Sequence, residues 1–387
     1  MDQKAFLNRS FLCLFLLGLS GCSFRKDDAI QAPLFPRGKE IRTVFAKTED
    51  GWEIALRRFK PESLDRDRVP VILCHGLGYN GRFWDLDAEH DFPSYLRDAG
   101  YDTWVVDLRG AGESAKPAWD FVRLPQVKPS AAAKMKLDKL DWCADEHIQY
   151  DVPAAIDRVR KETGHDKIAW VGHSLGGMVM FGYIERFGNE KVQCIAALGL
   201  PMMIPRPPNN IVRDIPGFRG LMKMVNNRWQ AIAGAATLNQ FKSPIDALFY
   251  NDDNVELSAI MGLYLHATED LPSKMIEQTL VLAETGEFRA MDGSINYTAE
   301  VPKVKAPVLL IAGKVDNLGD CEGVRNVYHR VSSTDKTFRL FGLANGDSID
   351  YGHDDLIIGR RAAKEVFPFI RNWLDKRALI ASRSPPK

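Results

Sequence analysis

A serine set between glycines, at the junction of an apolar strand and a helix, is the feature of this chain best suited to chemistry. The stretch Ala169-Trp170-Val171-Gly172-His173-Ser174-Leu175-Gly176-Gly177-Met178 leads from a strand expected over Lys167–Val171 into a helix expected over Leu175–Phe187. This is the G-x-S-x-G pattern in the strand, turn and helix context of a nucleophile elbow. Gly172 and Gly176 lack Cβ atoms, so the chain can reverse sharply and hold Ser174 in a strained conformation with its hydroxyl projecting. The hydroxyl then sits at a helix N-terminus, where unpaired N–H groups favour negative charge. A glycine-rich connection without chemistry can carry the same letters, so the partners of Ser174 decide.

A serine hydroxyl is a poor nucleophile at neutral pH. It needs a base in reach, usually histidine, and a carboxylate that fixes the tautomer and stabilises the imidazolium. Of the eight histidines, His75, His90, His147, His165 and His173 precede or adjoin the serine, His266 falls in a helical insertion and His329 on a helix. His353 stands in a loop after the last expected strand, within Asp350-Tyr351-Gly352-His353-Asp354-Asp355. In open α/β sheets sites gather at the carboxyl ends of strands. Asp316, in Gly313-Lys314-Val315-Asp316, follows a strand in the same way and is the expected acid. Asp320, Asp354 and Asp355 compete for that role and are expected instead to cap helices or face solvent.

Acyl transfer also needs donors for a developing oxyanion. The backbone N–H of Leu77, in His75-Gly76-Leu77-Gly78 at the end of an early strand, and that of Leu175 are the candidates. The same His75-Gly76 could equally be a tight turn held by its imidazole, and both readings can be true together. No metal-ligand spacing such as C-x-x-C or H-E-x-x-H occurs, and this chemistry requires no cofactor.

These residues need a rigid scaffold. With 387 residues, 45% hydrophobic and 26% charged, the chain can bury a large globular core, and its net charge of zero gives no electrostatic reason to expect a nucleic-acid partner. After a hairpin over Ile41–Lys47 and Trp52–Phe59, strands at Val69–Cys74, Asp102–Val106, Lys167–Val171 and Val192–Leu198 alternate with helices at Asp91–Ala99, Asp145–Thr163 and Leu175–Phe187. That alternation predicts an α/β fold with a mostly parallel sheet and helices on both faces. It stops over 201–305, where amphipathic runs such as Phe218–Ile232 and Val255–Leu265 predict a helical cap. It resumes with a strand at Pro307–Gly313, a helix at Glu322–Val331, a strand at Thr337–Phe341 and a closing helix over Gly359–Ala378. The expected division is a core over 40–200 and 306–378, a cap over 201–305 and a tail over 379–387.

Lys4 and Arg9 precede the apolar run Phe11–Leu19, then Ser20, Gly21 and Cys22. Nine helical residues reach about 14 Å at ~1.5 Å each, half of a hydrocarbon core of about 30 Å, so residues 1–21 read as a signal peptide. Leu19-Ser20-Gly21-Cys22 resembles the lipobox of bacterial lipoproteins. The resemblance implies acylation at Cys22, a tether over 22–39 and attachment to a membrane surface of the bacterial envelope, with Ser23 resembling outer-membrane sorting. In an oxidising compartment Cys74 and Cys194, inside apolar strands, are expected to be buried thiols. Spacing leaves a Cys143–Cys321 pair open.

Taken together, His75-Gly76-Leu77-Gly78, Asp107-Leu108-Arg109-Gly110-Ala111-Gly112-Glu113-Ser114, the Ser174 elbow, the strand with Asp316, and Gly352-His353 resemble the α/β-hydrolase superfamily over nearly all of residues 40–378. The layout is most similar to the acid lipases: Thr48-Glu49-Asp50-Gly51, Asp98-Ala99-Gly100-Tyr101-Asp102 and Tyr150-Asp151-Val152-Pro153 fall in like places. Leu175 stands where that subgroup commonly has Gln, as in many bacterial esterases. The resemblance implies a serine esterase or lipase acting on a small-molecule or lipid ester through an acyl-enzyme. An acyltransferase, thioesterase or peptidase could use the same Ser174, Asp316 and His353, and a non-catalytic envelope binding protein is the alternative of another class. Dehalogenase and epoxide-hydrolase chemistry are disfavoured, because their nucleophile in this fold is a carboxylate.

Overall fold

The computed structural model describes residues 41–116, 141–205 and 246–379. The leader with Cys22 and its tether, the amphipathic run Phe218–Ile232 and the final residues of the tail lie outside the described residues.

Eight strands form one sheet in the order β1-β2-β4-β3-β5-β6-β7-β8. They are β1 (Arg42–Lys47), β2 (Glu53–Phe59), β3 (Val71–Cys74), β4 (Thr103–Val106), β5 (Ile168–His173), β6 (Val192–Leu198), β7 (Val308–Gly313) and β8 (Lys336–Phe341). The β1–β2 and β2–β4 pairs are antiparallel, and every later pair is parallel. The parallel strands inside the sheet, such as β3 and β7, are continuous apolar runs because both faces are covered, whereas the edge strand β8 is half-exposed. In β3, Ile72 and Cys74 enter one core layer while Val71 and Leu73 enter the other, and all four are fully buried. A one-residue slip would exchange the two sets.

The helices that bear on the site and its frame are α1 (Phe92–Asp98), α2 (Val152–Thr163), α3 (Leu175–Phe187), α4 (Leu257–Gly262), α5 (Ser273–Thr285), α6 (Cys321–Arg330), α7 (Asp355–Ile358) and α8 (Ala362–Leu374). The helix expected over Asp145–Thr163 is interrupted: a π-helical turn at His147–Asp151 precedes α2. The extra residue of such a turn re-aims side chains. Here Asp151 is turned onto Arg109, whose backbone N–H, Nε and Nη2 all donate to it, while His147 Nδ1 lies 2.7 Å away. The closing helix is shorter than the expected Gly359–Ala378: it runs over Ala362–Leu374, because Gly359 is still extended and residues 375–377 are turn. Cys74, Cys143, Cys194 and Cys321 are free thiols, so 143 and 321 do not pair. Among the described residues no helix is long and apolar enough to cross a membrane.

Among the buried groups, Glu185 works against the fold. Glu185 on α3 has both carboxyl oxygens buried without a hydrogen-bond partner. Burial, reinforced by Glu300, pushes its pKa up to about 9. The folded chain therefore holds a proton that the unfolded chain releases, and stability falls as pH rises from about 4.5 toward 9. Glu185→Gln is expected to flatten that decline by on the order of 4 kcal/mol between denaturant titrations at pH 5 and pH 8. An unchanged slope would remove Glu185 as its cause.

Candidate active site

The elbow forms as its glycines require. Ser174 has φ 52° and ψ −118°, and it is the one non-glycine residue with positive φ among the described residues. Such a conformation costs about 1–3 kcal/mol and persists only where the surroundings impose it. They do so closely: a Cβ on Gly176 would stand 2.2 Å from the carbonyl oxygen of Cys74. From below, Trp170 Nε1–H donates to the carbonyl of Gly176 at 2.9 Å and holds the first turn of α3 against β5.

Backbone bonds beyond the strand ends carry the parallel sheet into the site. Ser174 N–H donates to Leu198 O, Gly199 N–H to Ile311 O and Val315 N–H to Tyr351 O, each at 2.8–2.9 Å. One rim therefore gathers Ser174 after β5, Gly199 after β6, Asp316 after β7 and His353 in the loop after β8. His353 Nδ1 lies 2.9 Å from Asp316 Oδ2, with both residues buried. Asp316 Oδ1 accepts the N–H groups of Leu318 and Gly319 at 2.8 and 2.7 Å. Its second oxygen is left for the histidine. Burial lowers the basicity of His353, but the Asp316 charge and hydrogen bond outweigh it and raise its pKa above the ordinary value.

His173, the residue preceding Ser174, packs directly against His353. The rings of His173 and His353 lie 4.6 Å apart, and His173 Nε2 is 3.1 Å from the backbone carbonyl of His353. A carbonyl only accepts, so Nε2 carries the proton. His173 is neutral, consistent with burial holding its pKa well below the usual value. Among the described residues the Ser174 hydroxyl forms no hydrogen bond of its own. Catalytic hydrogen bonds are often long before substrate binds and tighten in the reacting complex.

Gly199 forms the floor of the pair. Its φ is +56°, and a Cβ there would lie 2.9 Å from His353 Nδ1 and 3.1 Å from Asp316 Oδ2. Gly199→Ala is expected to push the two apart and lower kcat by about 10-fold or more in an ester-hydrolysis assay. Wild-type turnover would show that the pair does not depend on this floor.

The N–H groups of Leu77 and Leu175 donate to no described group, which leaves both able to face an oxyanion. The loop between them is held by His75. Its Nδ1 faces Gly76 O at 2.9 Å, and its Nε2 accepts the Leu108 N–H at 3.2 Å, so the imidazole is neutral and the turn is built around it. Burial lowers its pKa in agreement. A cavity next to these donors is lined by Leu77, Leu108, Trp142, Leu175, Leu271 and Met275, together with polar groups such as Glu269.

The competing acids divide. Asp320 caps α6, accepting from Glu322 and Gly323, as expected. Asp354 and Asp355 are not solvated charges: both are fully buried. Asp354 accepts the Tyr79 hydroxyl at 2.6 Å and Asp355 accepts Asn254 Nδ2 at 2.7 Å. Burial pushes their pKa values up to about 6 and about 7. Sequence reading missed them because a run of two aspartates looks like surface, and their partners lie more than a hundred residues away. Their neighbours Leu356, Ile357 and Ile358 were the available signal, since an apolar run places what adjoins it at the core. His173, His353 and Asp354 bring ligand-type atoms within 4.8 Å of one another, the one such group of three among the described residues. His353 Nδ1 is committed to Asp316, so a cation there would have to take its Nε2.

The fold has known relatives. A family model described as alpha/beta hydrolase fold matches residues 69–320. The chain is 32% identical over 361 residues to Lipase lipl-1 of Caenorhabditis elegans, covering 83% of this chain and 84% of that one. It is 29% identical over 375 residues to Triacylglycerol lipase 2 of Arabidopsis thaliana, covering 86% and 84%. Among solved structures, an esterase from Exiguobacterium antarcticum superposes with a TM-score of 0.57 over 86% of this chain and 100% of that one, at 15% identity, a likeness of fold alone.

Proposed function

The chain belongs to the α/β-hydrolase fold family and is a carboxylic ester hydrolase, and from that premise we propose that Ser174, His353 and Asp316 are its catalytic triad. Ser174 Oγ attacks the ester carbonyl carbon while its proton passes to His353 Nε2. The carbonyl oxygen becomes an oxyanion facing the N–H groups of Leu77 and Leu175. As the tetrahedral intermediate collapses, the C–O bond to the alcohol breaks and the alcohol takes the proton from His353. Water then attacks the acyl-enzyme with His353 again as base, and the carboxylic acid leaves with Ser174 restored.

The observation that carries this reading is the strained Ser174, positioned on the same rim as a buried His353–Asp316 pair at 2.9 Å. The lipase-named relatives support an acyl chain on the substrate. A fluorophosphonate probe is expected to label Ser174, located by peptide mass spectrometry. No adduct on that residue in an active preparation would reject the assignment.

The N-terminal pattern ending in Cys22 supports a further proposal, a lipid-anchored protein of the bacterial envelope. Cys22→Ser is expected to move the protein from the membrane to the soluble fraction and to abolish labelling by a palmitate analogue.

A further inference from the structure

Four rings run across the site. Tyr79 stacks on Phe83 (centroids 5.2 Å apart, 12° between planes), Phe83 on His173 (4.6 Å, 28°), and His173 packs against His353 (4.6 Å, 57°). The series begins on the loop that carries Leu77 N–H, passes the residue before Ser174 and ends on the imidazole. Asp354 closes it into a circuit. It is bonded covalently to His353, and its Oδ2 accepts the Tyr79 hydroxyl at 2.6 Å. Its Oδ1 is buried without a hydrogen-bond partner and lies 3.8 Å from His173 Nε2.

A fully buried carboxyl with one oxygen unused is costly, and an apolar pair of the same shape would serve packing at least as well. Something other than packing is gained by keeping it. Tyr79 is two residues after Leu77, and its N–H closes a turn onto Gly76 O at 3.4 Å that encloses Leu77 and Gly78. On the far side, Asn80 N–H donates to Ala267 O and Glu269 N–H to Gly78 O, both at 2.8 Å. The outer edge of the loop is thus held by residues 267–269. Its inner edge is held by Asp354.

We propose that the Tyr79–Asp354 hydrogen bond fixes the Leu77 N–H against Ser174 and His353, which makes Tyr79 and Asp354 positioning residues for the reaction. The proposal rests on Ser174 being the nucleophile. The physical content is geometric: an oxyanion donor acts only within about 2.7–3.1 Å of where the charge forms, and a displacement of about 1 Å costs on the order of 100-fold. Because that charge exists only in the transition state, the loss falls on kcat and leaves KM in place.

The test uses the full chain and a p-nitrophenyl ester, with rates expressed per site labelled by a fluorophosphonate. Tyr79→Phe removes one oxygen and keeps the ring stack. It is expected to lower kcat per labelled site by about 10- to 100-fold, with KM within about 2-fold. Asp354→Leu should do the same, and the double variant should be no worse than the worse single, because both remove one bond. Asp354→Asn, whose amide oxygen can accept the hydroxyl, should lose less than Asp354→Leu. Unchanged kcat per labelled site in Tyr79→Phe overturns the proposal, as do equal losses in the two Asp354 variants. If Asp354→Leu fails to accumulate, Tyr79→Phe and Asp354→Asn decide alone. A wild-type enzyme that takes no label at Ser174 would instead defeat the underlying triad, a result distinct from any of these.

Discussion

Ser174→Ala is expected to reduce kcat for ester hydrolysis by about 10⁶-fold, down to whatever the oxyanion donors and binding alone supply. The reason is chemical rather than structural. Without Oγ no acyl-enzyme forms, and His353 has no proton to take. The fold should tolerate the change, since Ser174 Oγ bonds to no described group. A companion variant separates strain from chemistry. Ser174→Gly removes the same oxygen and also the Cβ that makes φ 52° costly. It should be more stable than Ser174→Ala by about 1 kcal/mol in thermal or denaturant unfolding. Hydrolysis of p-nitrophenyl esters by the alanine variant at the wild-type rate would discard the mechanism. Equal stability of the two variants would show that the elbow stores no strain.

Asp316→Asn should be nearly as damaging, with kcat lower by about 10³- to 10⁴-fold. The bonds already present determine how the amide will sit. Leu318 and Gly319 both donate to Asp316 Oδ1, so the amide oxygen stays there and the NH₂ group replaces Oδ2 opposite His353 Nδ1. A donor facing Nδ1 forces the ring proton onto Nε2, the nitrogen that must accept from Ser174. The enzyme would fold with its base in the wrong tautomer.

The pH dependence follows with a definite sign. Burial works against a charged His353, yet Asp316 raises its pKa above 6.5. The base is neutral only above that value, so the acidic limb of wild-type kcat/KM should lie above pH 6.5. In Asp316→Asn, burial acts unopposed by that carboxylate, and the limb should shift to lower pH. For stability, a folded pKa raised above the unfolded one means that the pair's contribution is complete below about pH 6.5 and is lost as pH climbs through the folded value. A kcat/KM profile whose acidic limb does not move between the two proteins would contradict the assignment of His353 as base.

How much of this was legible in the residues depends on the range over which each feature is encoded. The bounds of α3 and β6 coincide with those read from sequence, because an apolar strand run or a helix opening on glycines is specified by neighbours a few positions away. The interrupted helix before α2 was not legible. Its π turn exists to aim Asp151 at Arg109, a residue 42 positions earlier. Asp354 and Asp355 were misjudged for the same reason: polarity of the side chain was visible, but Tyr79 and Asn254 as their partners were not.

By itself, then, the amino-acid sequence determined the strand and helix alternation, the strained turn at Ser174 and the chain order of serine, acid and histidine. These are set by local backbone sterics and by hydrophobic period, which act between near neighbours. Only the tertiary structure decided that His173 is a neutral spacer, that Gly199 must be bare beneath the His353–Asp316 pair, and that Tyr79 reaches Asp354 across 275 residues. Those outcomes depend on which side chains the sheet's parallel order brings to one rim. Burial then fixes their charge, and neither effect is carried by any short segment of the chain.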